Sequence, residues 1–414
     1  MLNGDDGAGV ALAMRLVVRA AEVLRADRLI PISGAHIDSC LYHGQASLDF
    51  VRRLGAGGAR VAVPTSLNVG GLDLLHPELW RGDSVDAARS RELMEAYRSL
   101  GCRPSYTCAP YQLANLRPGL GEQVAWGESN AIAFCNSVLG ARTNRYGDFI
   151  DAACAVTGRV PEAGLHRTQS RRARLVLRLS RDVPAALLED DAFYPILGLV
   201  LGRRAGSSVA AIAGLPARLS EDRLKAIGAA AASSGSVALF HAIGSTPEAP
   251  TLEAALHGQP PEAEEEVTFE ELRATRRELM TADDRQALRA VSLGTPHASL
   301  AELRSIARLV AGRRPPSGMQ LLVSTSRDLL AQAEEEGLAD RLRDCGAELL
   351  VDTCSYLVPV LRPGPGSVMT DSGKWAYYAP GNIGAQVVFG STAECIASAL
   401  AGRVVRLPSA WGQE

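Results

Sequence analysis

The chain has 414 residues, of which 47% are hydrophobic and 21% charged, with a formal net charge of −3. This length predicts two or three domains at roughly 150 residues each. The small negative charge argues against a nucleic-acid-binding protein, and the lack of any apolar run of about 18 residues argues against a membrane span. The start, MLNGDDGAG, also lacks the pattern of a secretory signal. We therefore expect a cytoplasmic protein with no membrane and no nucleic-acid partner.

The first third of the chain alternates short strands, polar loops and helices. A helix is predicted over residues 5–27, capped by Asp5 or Asp6, followed by a strand at 29–33 that runs into GAHIDSCLYHG. A second strand at 59–63 ends in PTSLNVGG, and a helix at 85–100 is followed by GCRPSYTCAPYQ. This order is typical of parallel α/β layers, in which ligands bind at the carboxyl ends of the strands. The three loops should therefore open on one edge.

The stretch WGESNAIAFCNSVLGARTNRYGD, residues 126–148, is unusually rich in polar side chains. Arg142 and Arg145 are three residues apart, so on a helical turn both guanidinium groups would point the same way. Paired guanidinium groups suit a carboxylate or a phosphate. The alternative is a solvated arginine pair at the start of a helix.

A second α/β region follows, with fewer clustered polar residues. Strands are predicted at 175–179, 209–214, 237–241, 290–293 and 321–325, and helices at 193–202, 221–233, 268–279, 300–310 and 328–343. Residues 247–266 hold several Pro and six Glu and are predicted to form a loop or linker. We expect one lobe over 171–344, and a site-bearing part made of 1–170 together with 345–414.

The last segment returns to strands that end in polar loops. ELLVDTCSYL is a predicted strand ending near Cys354, and TDSGKWAYYAPG is interpreted as a Gly-rich loop that carries Lys374. VVFGSTAECIASAL predicts a strand followed by a helix with Cys395 in its first turn. The helix dipole would lower the pKa of that thiol and favour a metal-bound thiolate.

Eight cysteines occur without any CxxC spacing, which argues against a zinc ribbon, and in the cytoplasm they should not form disulfides. Each is either a small buried hydrophobic residue or a ligand in a cluster assembled from distant positions. Cys108, Cys354 and Cys395 lie at strand ends or helix starts beside polar residues. Three thiolates would leave one iron of an iron–sulfur cluster open to act as a Lewis acid.

Two further groups of polar residues have more than one interpretation. His36, Asp38 and His43 lie in one loop and suit a mononuclear metal site, an acid/base or hydrogen-bonding role, or a structural role. Ser66 and Asn68 follow a strand and either bind a ligand oxygen or satisfy a turn. His297, in GTPH, is either close to a metal site or at the start of a helix. The chain contains no nucleotide-binding or serine-hydrolase motif.

Taken together, several strings resemble the large, catalytic part of the aconitase X family. They are GAHIDSCLYHG, PTSLNVGG, TCAPYQ, WGESNAIAFCNSVLGARTNRYGD, TGRVPEAGLH, VDTCSYL, TDSGKWAYYAPG and FGSTAECIASALAG, in the family's order from about residue 1 to 405. The resemblance implies an aconitase-like α/β fold with several lobes, and a hydro-lyase that uses an iron–sulfur cluster. It also implies a small swivelling domain, which this chain lacks and which a separate small subunit would supply together with a catalytic Ser.

The resemblance assigns roles to residues of this chain. It implies catalytic roles for His36, Asp38 and Lys374, and cluster ligation by Cys108, Cys354 and, less directly, Cys395. Substrate binding is assigned to Ser66, Asn68, Glu128, Ser129, Asn136, Arg142 and Arg145. Some family members carry Cys where this chain has Thr295, so the third cluster ligand differs here or the cluster does.

Two substrates are known in the family, both small hydroxy acids: cis-3-hydroxy-L-proline and mevalonate 5-phosphate. The continuation Tyr146-Gly147-Asp148 after the arginine pair, and the Ala/Arg-rich composition, favour the hydroxyproline type. Two interpretations of another class remain. One is a cluster-free paralogue that only binds a ligand, and the other is a zinc or mononuclear-iron lyase built on His36, Asp38 and His43.

Overall fold

The computed structural model describes residues 1–412, and its first unit packs helices around a three-stranded parallel sheet of order β3-β2-β4. The elements are α1 (Ala8–Val23), β1 (Leu29–Pro31), β2 (Gly34–Ile37), α2 (Gln45–Ala56), β3 (Thr65–Leu67), α3 (Ser84–Ser99), β4 (Val124–Trp126), α4 (Ser129–Ser137), α5 (Ile150–Thr157) and β5 (Arg159–Pro161). β1 and β5 pair separately in an antiparallel ribbon. Because the three parallel strands end at one edge, the loops that follow them lie side by side there.

Two details of this unit differ from the sequence-based expectation. The first helix begins after Gly7 and has no side-chain cap, so neither Asp5 nor Asp6 caps it. Residues 59–63 do not form a strand. The N–H of Val61 bonds to the Leu100 carbonyl and that of Ala62 to the Ala155 carbonyl, so these groups pair with helix ends rather than with a strand.

The second unit contains a four-stranded parallel sheet of order β8-β7-β6-β9. Its elements are β6 (Leu175–Leu179), α6 (Phe193–Ala205), β7 (Ala210–Ala213), α7 (Glu221–Ser234), β8 (Phe240–Ala242), α8 (Leu252–Ala255), β9 (Ala263–Val267) and α9 (Phe269–Leu279). The predicted linker at 247–266 thus contains α8 and most of β9. The sequence AEEEV hides this edge strand because its first four residues are exposed and show no apolar alternation.

The third unit contains a five-stranded parallel sheet of order β12-β11-β10-β13-β14. Its elements are β10 (Leu288–Ala298), α10 (Leu300–Val310), β11 (Gln320–Thr325), α11 (Arg327–Glu335), α12 (Leu338–Asp344), β12 (Ala347–Leu350), β13 (Ser367–Thr370), α13 (Gly373–Ile383), β14 (Val387–Phe389) and α14 (Thr392–Ala401). The predicted boundary at residue 345 falls between β11 and β12, which are hydrogen-bonded neighbours. The division is therefore corrected: residues 171–344 are not one lobe, and 345–414 does not group with the first unit.

The connections of this third sheet reverse direction between β10 and β13. From β10 the chain builds outward to β12 on one side, then returns to form β13 and β14 on the other. The carboxyl ends of β10 and β13 thus flank a topological switch point, where open α/β sheets bind ligands.

The three units share one core around Trp375, which is fully buried with Phe193, Val69 and Cys108 in the same apolar cluster. The indole N–H of Trp375 donates to the Ser355 hydroxyl at 2.9 Å. Trp375 lies in the first turn of α13, so Lys374 belongs to a helix rather than to the predicted Gly-rich loop. Across residues 1–412, no helix combines the length and apolarity needed to cross a bilayer.

Candidate active site

Three polar side chains meet at the carboxyl edge of the first sheet, one from each strand. Asp38 follows β2, Asn68 follows β3 and Glu128 follows β4. The amide nitrogen of Asn68 donates to Asp38 and also to Glu128 Oε2, at 3.0 Å for the latter. The one amide thus links two carboxyl groups, as the shared edge of the three loops predicts.

Glu128 forms a buried ion pair with Lys374. The Lys374 ammonium lies 2.5 Å from Glu128 Oε1, and the two side chains are 3% and 10% exposed. Burial alone would raise the pKa of Glu128, but Lys374 and the hydrogen bonds from Asn130 outweigh it and lower that pKa to about 2. Burial opposes the charge on Lys374, yet Glu128 holds the pKa of Lys374 well above its usual value. Both groups are therefore charged at neutral pH, and the pair joins the first and third units.

The pKa of Asp38 is shifted in the opposite direction to that of Glu128. Burial raises the pKa of Asp38 well above its usual value, and the charges of Glu128, Asp148 and Asp151 raise it further, against the hydrogen bond from Asn68. The carboxylate of Asp151 holds the loop in place by accepting the main-chain N–H of Asp38 at 2.7 Å. Asp38 and Glu128 are therefore neighbouring carboxyl groups with pKa values pushed apart, which is the pattern of an acid beside a fixed charge.

His36 lies on β2 and is fully buried. Its Nδ1 lies 2.8 Å from the Ser66 hydroxyl, and burial lowers the pKa of His36 to about 3, so the ring is neutral. No hydrogen-bond partner for Nε2 exists within residues 1–412, although this atom is buried. His36 thus offers one unused ring nitrogen at the same sheet edge.

Two thiols from different units meet near this network. The sulfurs of Cys108 and Cys354 lie 3.9 Å apart, although 246 residues separate them in the chain. Burial opposes ionisation of Cys108, but the hydrogen bond from Cys354 and the charges of His297 and Lys374 prevail and lower the pKa of Cys108 to about 6. The same hydrogen bond, together with burial, raises the pKa of Cys354. The pair therefore provides one thiolate and one thiol in the absence of a metal.

His297 is the third potential ligand beside these thiols. One ring nitrogen of His297 and both sulfurs all lie within 4.8 Å of one another, and all three residues are buried. Its Nε2 lies 3.1 Å from the Thr353 carbonyl, which only accepts, so Nε2 carries the proton. Nδ1 then presents its lone pair, 3.0 Å from the Thr107 hydroxyl. Such an oriented imidazole with a carbonyl behind it is typical of metal-binding histidines.

The donor set therefore fits a metal or an iron–sulfur group held by two sulfurs and one imidazole. Ligation by His297 would require Nδ1 to exchange its bond with Thr107 for the metal. The structure does not bring Cys395, the predicted third ligand, to this group. Cys395 is fully buried in the apolar core beneath the third sheet, with Val388 and Ile396. Burial and two nearby carboxylates raise the pKa of Cys395 well above its usual value, which overrides the helix dipole.

The predicted arginine pair is not arranged as expected. The segment that carries Arg142 and Arg145 is extended rather than helical, so residues three apart do not share a face. Arg142 donates to the His166 carbonyl at 3.2 Å, and burial lowers its pKa. Arg145 is exposed and makes one long bond, 3.4 Å, to the Ala232 carbonyl. Arg145 is therefore the more accessible of the two, although Nε of Arg142 has no hydrogen-bond partner among residues 1–412.

Two other predicted substrate ligands have different positions. Asn136 is fully buried, and its amide bonds to Thr143, Ala238 and Arg171, so the role assigned to it is corrected to a structural one. Ser129 begins α4, is partly buried, and donates to Glu128 at 3.3 Å, which leaves it at the rim of the polar network. His43 is exposed, and the one possible metal-binding group found among residues 1–412 does not contain His36, Asp38 or His43.

Several residues of the network were not predicted from the sequence. Asp151 positions Asp38, Asn130 donates to Glu128 at 2.6 Å, and Tyr356 places its ring 6.0 Å from the Lys374 ammonium. Nothing in their local sequence distinguishes them from core or capping residues. For His297 a weak signal exists, since GTPH follows a strand and precedes a helix.

Comparison with known proteins gives consistent results. Family models described as the first, second and third domains of aconitase X match residues 1–169, 173–277 and 288–401, in agreement with the three sheets. The chain is 44% identical to cis-3-hydroxy-L-proline dehydratase of Pseudomonas aeruginosa, over 100% of this chain and 71% of that protein. It is 37% identical to the phosphomevalonate dehydratase large subunit of Methanothermobacter thermautotrophicus, over 94% of each. The crystal structure of Thermococcus kodakaraensis aconitase X in its holo-form superposes with a TM-score of 0.84 and 31% identity, covering 96% of this chain and 97% of that one.

Proposed function

The chain belongs to the aconitase X family of hydro-lyases, and on that premise we propose that it dehydrates cis-3-hydroxy-L-proline to Δ1-pyrroline-2-carboxylate. The observation that supports a dehydratase site is the meeting of Cys108 and Cys354, 3.9 Å apart, beside the Glu128–Lys374 pair. The choice of substrate is supported by the 44% and 40% identity to dehydratases named for this substrate in Pseudomonas aeruginosa and Hypocrea jecorina. The reaction removes the hydroxyl from C3 and a proton from C2, and the enamine so formed tautomerises to the cyclic imine.

An iron–sulfur cluster is part of the proposal. Cys108 and Cys354 would hold it with His297 as third ligand, and when bound it would supply a Lewis acid for the leaving hydroxyl. The raised pKa of Asp38 keeps a proton on its carboxyl group, which Asp38 would donate to the departing oxygen. Asn68 holds that carboxyl group in place, and Lys374 supplies the positive charge that the substrate carboxylate approaches. The Ser66 hydroxyl would position the neutral imidazole of His36 beside the same oxygen.

The proposal includes a small swivel-domain partner subunit and a cytoplasmic location. Two observations support a partner subunit. The Methanothermobacter relative is named a large subunit, and 29% of the Pseudomonas relative has no counterpart in this chain. The partner would contribute the base that removes the C2 proton, expected to be a Ser. Arg145 remains a predicted ligand for the substrate carboxylate.

The second candidate substrate is mevalonate 5-phosphate. It is favoured by the extent of the match to phosphomevalonate dehydratase large subunits, of which the chain covers 94% and 96% in the Methanothermobacter and Methanosarcina proteins. The two substrates differ in charge, since one is a zwitterion and the other a phosphorylated carboxylate. Partly buried Arg142 and exposed Arg145 do not form the paired arginine site that a phosphate would favour, which supports the imino acid.

The assay that tests this proposal uses the chain co-expressed with its small partner and purified without oxygen. We expect turnover of cis-3-hydroxy-L-proline, with release of an imine that reacts with o-aminobenzaldehyde, and at least about 100-fold lower kcat/KM for mevalonate 5-phosphate. The reverse preference would assign the second substrate. No turnover of either, with iron bound, would contradict the proposed function.

Replacing Asp38 by Asn should change the pH profile as well as the rate. The protonated carboxyl group is the active form, so activity of the wild type should fall as pH rises through the raised pKa of Asp38. Asp38→Asn cannot donate a proton of that acidity, and we expect kcat to fall about 10²–10⁴-fold and the alkaline limb to vanish. Asp344 is exposed, so Asp344→Asn is the matched control, and it should retain both the kcat and the alkaline limb of the wild type. An unchanged profile in Asp38→Asn would assign the proton to another group.

Gly127 lies where any side chain would displace Asp38. A Cβ atom at this position would lie 2.7 Å from Asp151 Oδ2 and 2.9 Å from Asp38 Cβ. We therefore expect Gly127→Ala to lower kcat by roughly 10–100-fold through a shift of the acid, and to cost about 1–3 kcal/mol of stability. Gly147→Ala is the matched control, because a Cβ there meets no atom within 4 Å. If the two variants had equal kcat, the position of Asp38 would not matter to the reaction.

A further inference from the structure

A cavity of about 340 Å³ lies at the switch point of the third sheet, on the far side of Lys374 from the carboxyl groups of the first unit. It is bordered by the carboxyl ends of β10 and β13, by α10, and by the starts of α6 and α7 from the second unit. Thr295 and Lys374 line it, and Thr295 is two residues from His297. The cavity therefore adjoins the thiol pair without including either sulfur.

The starts of several helices meet at the walls of this cavity. Residues from the starts of five helices, α6, α7, α10, α13 and α14, line it. In α13 the N–H of Trp375 is taken by the Ser372 hydroxyl, whereas Gly373 and Lys374 have no acceptor within the helix. Helix starts that converge on one space attract a carboxylate.

The two lysines of the chain, among 43 basic residues, both border this cavity. Lys225 and Lys374 are 4% and 3% exposed, whereas the surface carries arginine. Lys225 is tied to Asp222 at 3.0 Å and to Glu302, so the two acidic side chains share one positive charge. A compact ammonium fits a confined wall better than a planar guanidinium does.

Two polar groups on the wall lack a partner among residues 1–412: the Thr295 hydroxyl has no hydrogen-bond partner, and the Asp371 carboxyl group has no ion-pair partner. The hydroxyl of Thr295, a residue only 7% exposed, has no hydrogen-bond partner within the described part of the chain. Asp371 accepts from the Thr392 hydroxyl at 2.7 Å but pairs with no basic side chain, unlike Asp191, Asp222 and Glu302. An unpaired carboxylate at the edge of a cavity favours the binding of a cation, and the helix starts beside it favour the binding of an anion.

We propose that this cavity binds a small zwitterionic imino acid, whose carboxylate faces the start of α13 and whose ammonium group faces Asp371. The choice of an imino acid rests on the proposed function, while the zwitterion follows from the cavity itself. A Cβ at Gly373 would lie 2.9 Å from Pro195 Cβ, so glycine is needed for α13 to start this close to α6. The cavity would thus hold the substrate, or its unreactive analogue, next to the thiol pair before or after the reaction.

Binding of L-proline, which has no hydroxyl to lose, tests the inference without relying on catalysis. Calorimetric titration of the full chain should show one site for L-proline. Pyrrolidine, which lacks the carboxylate, and cyclopentanecarboxylate, which lacks the ammonium, should each bind at least about tenfold more weakly. Equal affinity for cyclopentanecarboxylate would overturn the contact with Asp371, and no binding of L-proline would overturn the site.

Two variants place the ligand in the cavity. Asp371→Asn should weaken L-proline at least about tenfold, and Ser305→Met, which fills the cavity from α10, should abolish detectable binding. Asp344→Asn and Ser317→Met are exposed outside the cavity and serve as controls that should bind as the wild type does. Thermal unfolding of all four would identify a folding defect.

The outcomes separate this inference from the proposed function. L-proline binding that survives Cys108→Ala but is lost in Ser305→Met supports the cavity even if the chain turns over neither hydroxy acid. Binding that is lost in Cys108→Ala and kept in Ser305→Met overturns the cavity while leaving the dehydratase proposal intact.

Discussion

If the proposed cluster is held by Cys108, replacing Cys108 by Ala should prevent iron binding and lower dehydration by on the order of 10³-fold or more. The sulfur of Cys108 lies 3.9 Å from that of Cys354 and carries the lower pKa of the two, about 6. It is therefore the thiol already ionised near neutral pH, as metal ligands must be. Iron content, acid-labile sulfide and visible absorbance of anaerobically purified protein would be measured with kcat.

Cys395→Ala is the matched control for this experiment. Both cysteines are fully buried, but Cys395 packs against apolar residues and its pKa is raised. We expect Cys395→Ala to keep its iron and its activity and to lose about 1–2 kcal/mol of stability through the small cavity it leaves. Iron lost in Cys395→Ala would restore Cys395 as the third ligand, as the sequence suggested. Iron retained in Cys108→Ala would contradict both ligand assignments.

The third ligand shows where reasoning from the sequence reaches its limit. Cys395 was favoured because a thiol in the first turn of a helix gains from the dipole. In the structure the sulfur points into an apolar core, where burial and two carboxylates outweigh that gain. Whether a helix start faces a ligand or the core depends on tertiary packing, which the residues around position 395 do not encode.

Two polar residues of the proposed site were easier to predict. Asp38 and Asn68 lie in loops that follow strands of one parallel sheet, as the alternation of strand and polar loop suggested, whereas the strand before Glu128 was not predicted. The arginine pair failed for a local reason. Its spacing has meaning only on a helix, and the segment is extended because its backbone pairs with Gln123 instead. Similarly, the exposed glutamates of β9 conceal a strand whose pairing is set by β6 alone.

Replacing Lys374 by Met should be the most destabilising of these substitutions, at about 3–5 kcal/mol. The variant leaves the Glu128 carboxylate in a site that is nearly closed to water, with only the neutral donors Asn68, Ser129 and Asn130. Chemical unfolding monitored by circular dichroism would measure the loss. The exposed pair Arg304–Glu336 is the matched control, since both side chains are more than a third exposed, and Arg304→Met should cost far less stability than Lys374→Met.

The double variant Lys374→Met/Glu128→Gln should recover most of that loss, because no unpaired buried charge remains. The stability lost in Lys374→Met should also depend on pH. The pKa of Glu128 is lowered from 4.5 to about 2, so the stabilisation that the pair provides is complete above pH 4.5 and is lost as pH falls towards 2. The stability difference between wild type and Lys374→Met should therefore shrink over that interval. Two results together would contradict this: a stability difference between wild type and Lys374→Met that does not change with pH, and a loss in the double variant equal to the sum of the two single losses. Lys374 would then act through its packing against Tyr356 and not through its charge. The link between the first and third units would then be apolar.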